Sequence, residues 1–212
     1  MDENDKKLIR NRYNERLREF GPGIKALASG TEERRSIRFD VLTEIGIRDG
    51  CSVLDVGCGL ADFYTHLLKK GVDVRYTGID IVPELIEAGQ GKYPGLDLQV
   101  RDLQEMPFPE ASFDYVVCSQ VFNLRLPDNR NEVLVRDMMR RMFITASAGV
   151  AVDFLTSYVD FKQEQLHYYQ PETQFSCAKQ ITRRVMLRHD YPLFEFCLYL
   201  YPNFEGWSRS QL

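Results

Sequence analysis

The sequence predicts an α/β fold built on a seven-stranded sheet, mostly parallel, with an antiparallel strand near the carboxyl end and helices at the amino end. Two patterns support this prediction. From Cys51 onward, short apolar runs alternate with stretches of helical periodicity, which is typical of parallel strands joined by helices. Near the end, two β-rich runs are separated only by residues 189–193. This link is too short for a crossover helix, so the two strands must pair antiparallel.

The amino-terminal part predicts two helices. Residues 5–19 form the first, which ends at a Gly-Pro-Gly sequence and carries apolar side chains at helical spacing: Ile9, Tyr13, Leu17 and Phe20. Thr31 can cap the second helix, whose first turn carries two glutamates at the positive end of the helix dipole. The arginines of this helix are interpreted as a solvated face, with contact to an anionic ligand as the alternative: Arg34, Arg35 and Arg38.

The remaining elements follow in alternation. Strands are predicted at residues 52–56, 74–79, 96–100, 113–118, 148–154, 183–188 and 194–201. Helices are predicted between them at residues 60–70, 83–91, 130–144 and 171–181. Pro83 and Pro171 each suit the first turn of a helix, which supports two of these starts.

Composition limits the classes of protein that the chain can represent. Its 212 residues allow one well-buried domain with a helical appendage. No apolar run approaches the ~18 residues that span a bilayer, and the charged amino terminus does not resemble a signal peptide. Five cysteines without a CxxC pair predict a reducing, cytoplasmic location. A net charge of −4 argues against a nucleic-acid partner, and we expect neither nucleic acid nor membrane as a partner.

A glycine-rich turn follows the first strand in Val53-Leu-Asp-Val-Gly-Cys-Gly59. Glycines at such a turn let the backbone bend sharply and approach a ligand closely. Asp80 ends the next strand, where a carboxylate accepts hydrogen bonds from ribose hydroxyls. The two features together predict a site for a nucleoside-containing ligand.

Dinucleotide-dependent dehydrogenases share this arrangement, so a further residue is needed to distinguish a dinucleotide site from a site for another nucleoside-containing ligand. Their GxGxxG pattern, begun at Gly57, requires glycine or alanine at the position that Asp62 occupies. A carboxylate at a helix N-terminus would repel a pyrophosphate but not a cationic sulfonium. The sequence therefore favours a sulfonium ligand over a dinucleotide.

With these motifs in order, residues 50–202 resemble the class I S-adenosylmethionine-dependent methyltransferases of the type 11/25 kind, which have a Rossmann-like sheet. The resemblance rests on the glycine turn, on Gly78-Ile-Asp80, on Arg101-Asp-Leu103 and on Phe113-Asp-Tyr-Val-Val-Cys-Ser119. One departure is Ala61, which stands where the family usually has a third glycine. The resemblance implies that S-adenosylmethionine is the cofactor, that residues 1–49 form a helical cap over its site, and that residues 50–212 form the catalytic domain.

The resemblance also implies the residues that hold the cofactor. Asp80 would bind the ribose, Ile81 and Leu103 would pack near the adenine, and Asp102 would accept from the adenine amino group. The complete predicted set is Asp55, Gly57, Cys58, Gly59, Asp80, Ile81, Asp102, Leu103, Ser119 and Gln120. No carboxylate cluster is spaced for a metal ion, so no metal is expected.

The methyl acceptor should lie at the carboxyl ends of the strands, where open α/β sheets bind ligands. A long aromatic-rich insertion follows the fifth strand, and we expect a lid near residues 155–170. The two catalytic candidates are His167, as a general base, and Asp153, as a group that holds an acceptor hydroxyl or amine.

The leading hypothesis is a methyltransferase that acts on a small molecule. Two alternatives stay open: a methyltransferase of protein or RNA, and a module that binds the cofactor without catalysis. The acidic charge favours a small acceptor over RNA, since RNA binding rests largely on basic surfaces. The sequence leaves the acceptor atom and the oligomeric state open.

Overall fold

The computed structural model describes residues 1–203, which form a seven-stranded sheet with helices on both faces. The strands are β1 (Ser52–Val56), β2 (Arg75–Asp80), β3 (Asp97–Val100), β4 (Phe113–Cys118), β5 (Ala146–Leu155), β6 (Arg184–Arg188) and β7 (Glu195–Tyr201). The α-helices are α1 (Glu3–Phe20), α2 (Glu32–Thr43), α3 (Asp62–Lys69), α4 (Pro83–Lys92), α5 (Asn131–Thr145) and α6 (Pro171–Lys179), and a short 3₁₀ turn spans Pro127–Asn129.

The strand order is β3-β2-β1-β4-β5-β7-β6, which confirms the predicted fold class. β1 pairs in parallel with β2 and β4, and β4 pairs in parallel with β5. β7 runs antiparallel to both of its neighbours, β5 and β6. The order reverses between β1 and β4, and at this switch point the helices leave the sheet on opposite faces and open a crevice for a ligand.

The strands β1, β2 and β5 are largely buried on both faces because their side chains alternate between two cores. Val53 belongs to the core beneath α2, α3 and α4, whereas Leu54 belongs to the core beneath α5 and α6. Both side chains are fully buried. This explains why the strands read as continuous apolar runs rather than as alternating ones.

The two amino-terminal helices begin at side-chain caps. Asp2 accepts a hydrogen bond from the backbone N–H of Asp5 (2.8 Å), and Thr31 accepts one from the N–H of Arg34 (3.2 Å). α1 packs against α4 through Ile9, Tyr13 and other apolar side chains of its predicted stripe. None of the helices in residues 1–203 combines the length and the apolar character that a membrane span needs.

The insertion after β5 is folded back on the domain. Two isolated bridges hold it, between Thr156 and Tyr169 and between Leu124 and Leu166. The backbone N–H of His167 donates to the carbonyl of Asn123 (2.9 Å). The insertion therefore packs on the loop between β4 and α5.

Candidate active site

One cleft opens at the carboxyl ends of β1, β2 and β4, with a volume of about 1190 Å³ including its mouth. All ten residues predicted to bind the cofactor line it: Asp55, Gly57, Cys58, Gly59, Asp80, Ile81, Asp102, Leu103, Ser119 and Gln120.

The two glycines of the turn, Gly57 and Gly59, each have close neighbours where a Cβ atom would lie. Gly57 has a φ of 74°, and a Cβ atom there would lie 2.2 Å from Cγ2 of Val121. Gly59 has a φ of 54°, and its Cβ would lie 2.9 Å from a methyl carbon of Leu27. Glycine is therefore favoured at both positions by the backbone conformation and by the close neighbours, most strongly at Gly57.

Ala61, the departure from the family pattern, keeps the backbone conformation that a glycine would have. Its φ and ψ are 57° and 35°, in the left-handed region, and its side chain is fully buried. This conformation delays the start of α3 until Asp62, two residues later than predicted. Alanine accepts this conformation at a cost of about 1 kcal/mol.

Asp80 fixes the turn and faces the cleft. Its carboxylate accepts a hydrogen bond from the N–H of Gly59 (3.0 Å) and one from the N–H of Val82 (2.9 Å). Burial raises the pKa of Asp80, and these amide donors partly oppose the shift. The two amide donors thus hold the carboxylate in a fixed orientation.

Asp55 lies deeper in the same cleft. Burial raises the pKa of Asp55 to about 7, although the hydroxyl of Tyr76 donates to its carboxylate over 2.5 Å and partly offsets this effect. The carboxylates of Asp80 and Asp153 add to the rise. A cationic ligand in this acidic cleft would favour the ionised form of Asp55.

Asp102 combines one satisfied oxygen with one that lacks a directed donor. Oδ1 accepts from the N–H of Gln104 (2.8 Å). Oδ2 lies 3.0 Å from Nζ of Lys6, an ion pair whose angle does not make a hydrogen bond, so Oδ2 remains a buried acceptor without a donor. The adenine amino group of the cofactor would supply the missing donor.

The interpretation of Asp62 as an uncompensated carboxylate needs correction. It is buried and forms ion pairs with Arg35 and with Nζ of Lys92, the latter at 2.6 Å. Both cations come from elements distant in sequence, so periodicity could not reveal them. Because its charge is compensated, Asp62 repels a pyrophosphate less strongly than the unpaired carboxylate that the sequence suggests.

The prediction of a solvated arginine face on α2 is also wrong for two of its three members. Arg38 is 3% exposed and forms a bidentate ion pair with Glu195, with both N–O distances at 2.6 Å. Arg35 is mostly buried against Asp62, whereas Arg34 is exposed. The partners of Arg35 and Arg38 are carboxylates of the chain itself.

Asp153 lies behind the cleft wall. Its Oδ2 accepts from the hydroxyl of Ser119 (2.6 Å) and its Oδ1 from the N–H of Gln120 (2.7 Å), and both donors line the cleft. Burial raises the pKa of Asp153 to about 6, the nearby guanidinium of Arg38 opposes this, and Glu195 adds to it. Gln120 has a φ of 61°, which turns its N–H toward the carboxylate.

The three histidines lie outside the residues that line the cleft. His167 contacts Glu132 (Nε2–Oε1, 3.4 Å) and packs edge-on against Tyr169. His66 pairs with Asp40 (2.9 Å), and His189 packs against Phe196. The structure therefore does not bring His167 together with the other predicted site residues.

Sequence reasoning missed several residues of the cleft wall. α1 contributes Ile9 and Tyr13, whose helical spacing predicted an ordinary packing stripe, and Met1 joins them. α5 contributes Leu134 and Met138. Apolar periodicity identifies a buried face but not whether that face meets a core or a ligand.

The cofactor implied by the motifs fits these residues. The carboxylate of Asp80 is an oriented acceptor that suits a ribose hydroxyl. Asp102 has an oxygen that lacks a hydrogen-bond donor. Gly57 has no side chain that would keep a ligand away from the backbone. Within residues 1–203, no group of three or more histidine, cysteine or acidic side chains is placed to share a metal ion.

The fold and the cleft define a class of protein, and the family comparison agrees. Residues 53–143 match the family model described as a methyltransferase domain. The chain carries a methyltransferase domain similar to those of the class I S-adenosylmethionine-dependent methyltransferases, and S-adenosylmethionine is its cofactor.

Individual relatives extend this assignment. A protein of Mycobacterium tuberculosis named as a methyltransferase is 29% identical over 159 residues, which cover 73% of this chain and 95% of the relative. A demethylmenaquinone methyltransferase of Staphylococcus aureus is 33% identical over 146 residues, 65% of this chain. This second match spans 58% of the relative, little more than half of its length.

Solved structures share the fold at low sequence identity. Magnesium protoporphyrin IX methyltransferase from Synechocystis PCC 6803, with bound S-adenosylhomocysteine, has a TM-score of 0.65 at 15% identity and covers 94% of this chain and 100% of its own. Phosphoethanolamine N-methyltransferase 1 of Haemonchus contortus has a TM-score of 0.66 at 14% identity and covers 95% of this chain and 49% of its own.

Proposed function

We propose that the chain transfers a methyl group from S-adenosylmethionine to a small-molecule acceptor in the cytoplasm. The observation that carries this proposal is the walled cleft that α1, α2 and α5 border. RNA or a protein substrate needs an extended surface, and RNA a basic one, whereas the chain has a net charge of −4. The names of the relatives from S. aureus and Synechocystis, which refer to small-molecule acceptors, support the same class.

The proposal gives the amino-terminal segment and the insertion distinct roles. Residues 1–49 serve as the cap of the cofactor site, since Ile9 and Tyr13 contribute to the cleft wall. Residues 155–170 act as a lid, although they do not line the cleft themselves. They pack on the β4–α5 loop, whose residues Phe122 and Leu124 line the cleft. Closure of both segments would exclude water from the reacting groups.

Asp153 is the proposed catalytic group, acting through Ser119. When bound, S-adenosylmethionine supplies an already activated methyl group. The hydroxyl of Ser119 faces the cleft and donates to Asp153 Oδ2 over 2.6 Å, so a proton from the acceptor can pass to Ser119 Oγ while the serine proton passes to the carboxylate. A pKa raised to about 6 makes Asp153 a stronger base than an ordinary aspartate while leaving it ionised near neutral pH.

The test is a methyl-transfer assay with labelled S-adenosylmethionine. The acceptors would be a panel of small hydroxyl, amine and carboxylate compounds, together with bulk RNA and a mixture of proteins. We expect label in at least one small molecule and none above background in RNA or protein. The Asp153→Asn variant should lower kcat by ~10²-fold or more with unchanged binding of S-adenosylhomocysteine.

The alternatives predict different outcomes in the same assay. Label in RNA or protein alone would replace the small acceptor with a macromolecular one. Binding of S-adenosylhomocysteine without label in any acceptor would favour a cofactor-binding module. Full activity of Asp153→Asn would leave the small-molecule function standing but remove Asp153 from the mechanism.

A further inference from the structure

Lys6 is buried to an unusual degree for a lysine on an amino-terminal helix. Its side chain is 2% exposed and approaches three carboxylates, those of Glu3, Asp102 and Glu105. Burial works against the ammonium, but these carboxylates outweigh it and raise the pKa of Lys6. A fully buried lysine is rare unless it is paired. Lys6 therefore does not belong to the solvated face of α1.

The face of α1 that carries Lys6 is the face that closes the cleft. Lys6, Ile9 and Tyr13 follow one another at intervals of three and four residues and therefore share a side of the helix. Ile9 and Tyr13 line the cleft. The guanidinium of Arg10 donates to the carbonyl of Ile81 (2.9 Å), which ties the same helix to the loop after β2.

Asp102 is the point at which this helix meets the cofactor residues. One of its oxygens is held by a backbone amide, and the other lies beside the ammonium of Lys6 without a directed hydrogen bond. The carboxylate is about nine-tenths buried and lines the cleft next to Leu103. Lys6 thus compensates the charge of Asp102 without a directed hydrogen bond to Oδ2, so a lone pair of this buried atom has no donor.

We propose that Lys6 is a positioning residue of the adenine subsite, which keeps Asp102 as an oriented acceptor and so selects a base that offers an amino donor. An ionised carboxylate only accepts hydrogen bonds. It can therefore bind the 6-amino group of adenine, which donates, but repels the 6-carbonyl oxygen of hypoxanthine, which is itself an acceptor. Without Lys6, the buried carboxylate would lose its compensating charge and its fixed orientation. This inference concerns the cofactor site and does not depend on the identity of the acceptor.

The experiment compares two probes by calorimetry: S-adenosylhomocysteine and S-inosylhomocysteine, which differ in that 6-substituent. For the wild type we expect S-inosylhomocysteine to bind ~30-fold or more weakly, as a hydrogen bond to a charged group is replaced by repulsion. In Lys6→Met, S-adenosylhomocysteine should bind ~10-fold more weakly, and the preference for it should fall to within a few-fold.

Two variants serve as controls. Lys7→Met makes the same substitution at the next, exposed position of α1 and should keep both the affinity and the preference. Lys6→Arg retains the charge and should retain most of the preference. A thermal melt of each variant shows that the domain is folded before binding is measured.

The proposal is overturned by either of two results. In the first, Lys6→Met binds both probes as the wild type does, and the ion pair is then irrelevant to the cofactor. Alternatively, it binds both probes more weakly by the same factor, which assigns α1 a purely structural role. In Asp102→Asn, the further effect of Lys6→Met on the preference should vanish, and full additivity of the two changes would also contradict the proposal.

Discussion

At the scale of the residue, Gly57 is the position of the glycine turn with the least room. Its φ of 74° is unfavourable for other residues, and Val121 fills the space that a Cβ would need. We expect Gly57→Ala to destabilise the domain by about 2 kcal/mol or more, from the left-handed backbone and the overlap together. Gly23→Ala is the matched control because no atom lies within 4 Å of its Cβ position. Urea unfolding of both variants tests this, and equal effects would contradict it.

The raised pKa of Asp55 leads to a prediction about how the free energy of unfolding depends on pH. Burial raises the pKa of Asp55 from its ordinary value of 3.8 to about 7. A carboxyl whose pKa is higher in the folded state stabilises the fold at low pH and loses this contribution as the pH rises through the folded value. We therefore expect Asp55 to lower the free energy of unfolding from about pH 4 to about pH 7, by at most about 4 kcal/mol.

The measurement is the unfolding free energy of Asp55→Asn against that of the wild type across this pH range. The variant should lose less stability as the pH rises, because an amide does not ionise. Parallel curves for Asp55→Asn and the wild type would place the titrating group elsewhere.

At the scale of the element, the ion pair between Arg38 and Glu195 joins α2 to the start of β7. Both partners are buried, and Arg38 also lies 3.9 Å from Asp153. Removing one partner leaves an uncompensated buried charge, so Arg38→Met should cost about 3–5 kcal/mol. Chemical denaturation measures this loss.

The same helix supplies the control and the counter-test. Arg34→Met, at an exposed position one turn away, should change stability by less than about 0.5 kcal/mol. Replacing Arg38 and Glu195 together by methionine and leucine should recover part of the loss, since no unpaired charge remains at position 195. If Arg38→Met costs no more than Arg34→Met, the ion pair does not hold α2 in place.

At the scale of the whole molecule, the cleft gathers residues from distant parts of the chain, so ligand binding should stabilise the domain as a unit. At a concentration of S-adenosylhomocysteine 100 times its Kd, linkage predicts about 2.7 kcal/mol. For a domain of this size, that raises Tm by about 5–10 °C. The Asp80→Ala variant should show a smaller shift at the same concentration because a ribose contact is lost. An unchanged Tm for the wild type would contradict binding in the cleft.

The residues proposed for the cofactor site could be identified in the sequence because their signals are local, and all ten line one cleft. The glycine turn, Asp80 and Asp102 each follow a strand, and the carboxyl ends of adjacent parallel strands meet at one edge of a sheet. Strand bounds agree within a few residues, and the largest difference, at the start of β5, arises because α5 passes directly into the strand at Ala146.

The partners of the buried charges could not be predicted in this way. Arg38 meets Glu195 across 157 positions, and Lys6 meets Asp102 across 96. A charged side chain on a helix favours a solvated face until a partner of opposite charge is known, and no periodicity specifies such a partner. The same reasoning explains why the stripe of α1 predicted packing and not a wall of the cleft.

The sequence by itself determined the fold class and the cofactor and predicted the residues grouped around the glycine turn, since these depend on strand spacing, backbone freedom and the order of the motifs. Only the tertiary structure decided that residues of α1 line the cleft, that Asp62 and Arg38 are paired and buried, and that Asp153 contacts the cleft residue Ser119. These are contacts between distant segments, and their energies exist only once the chain has brought the charges out of water and together.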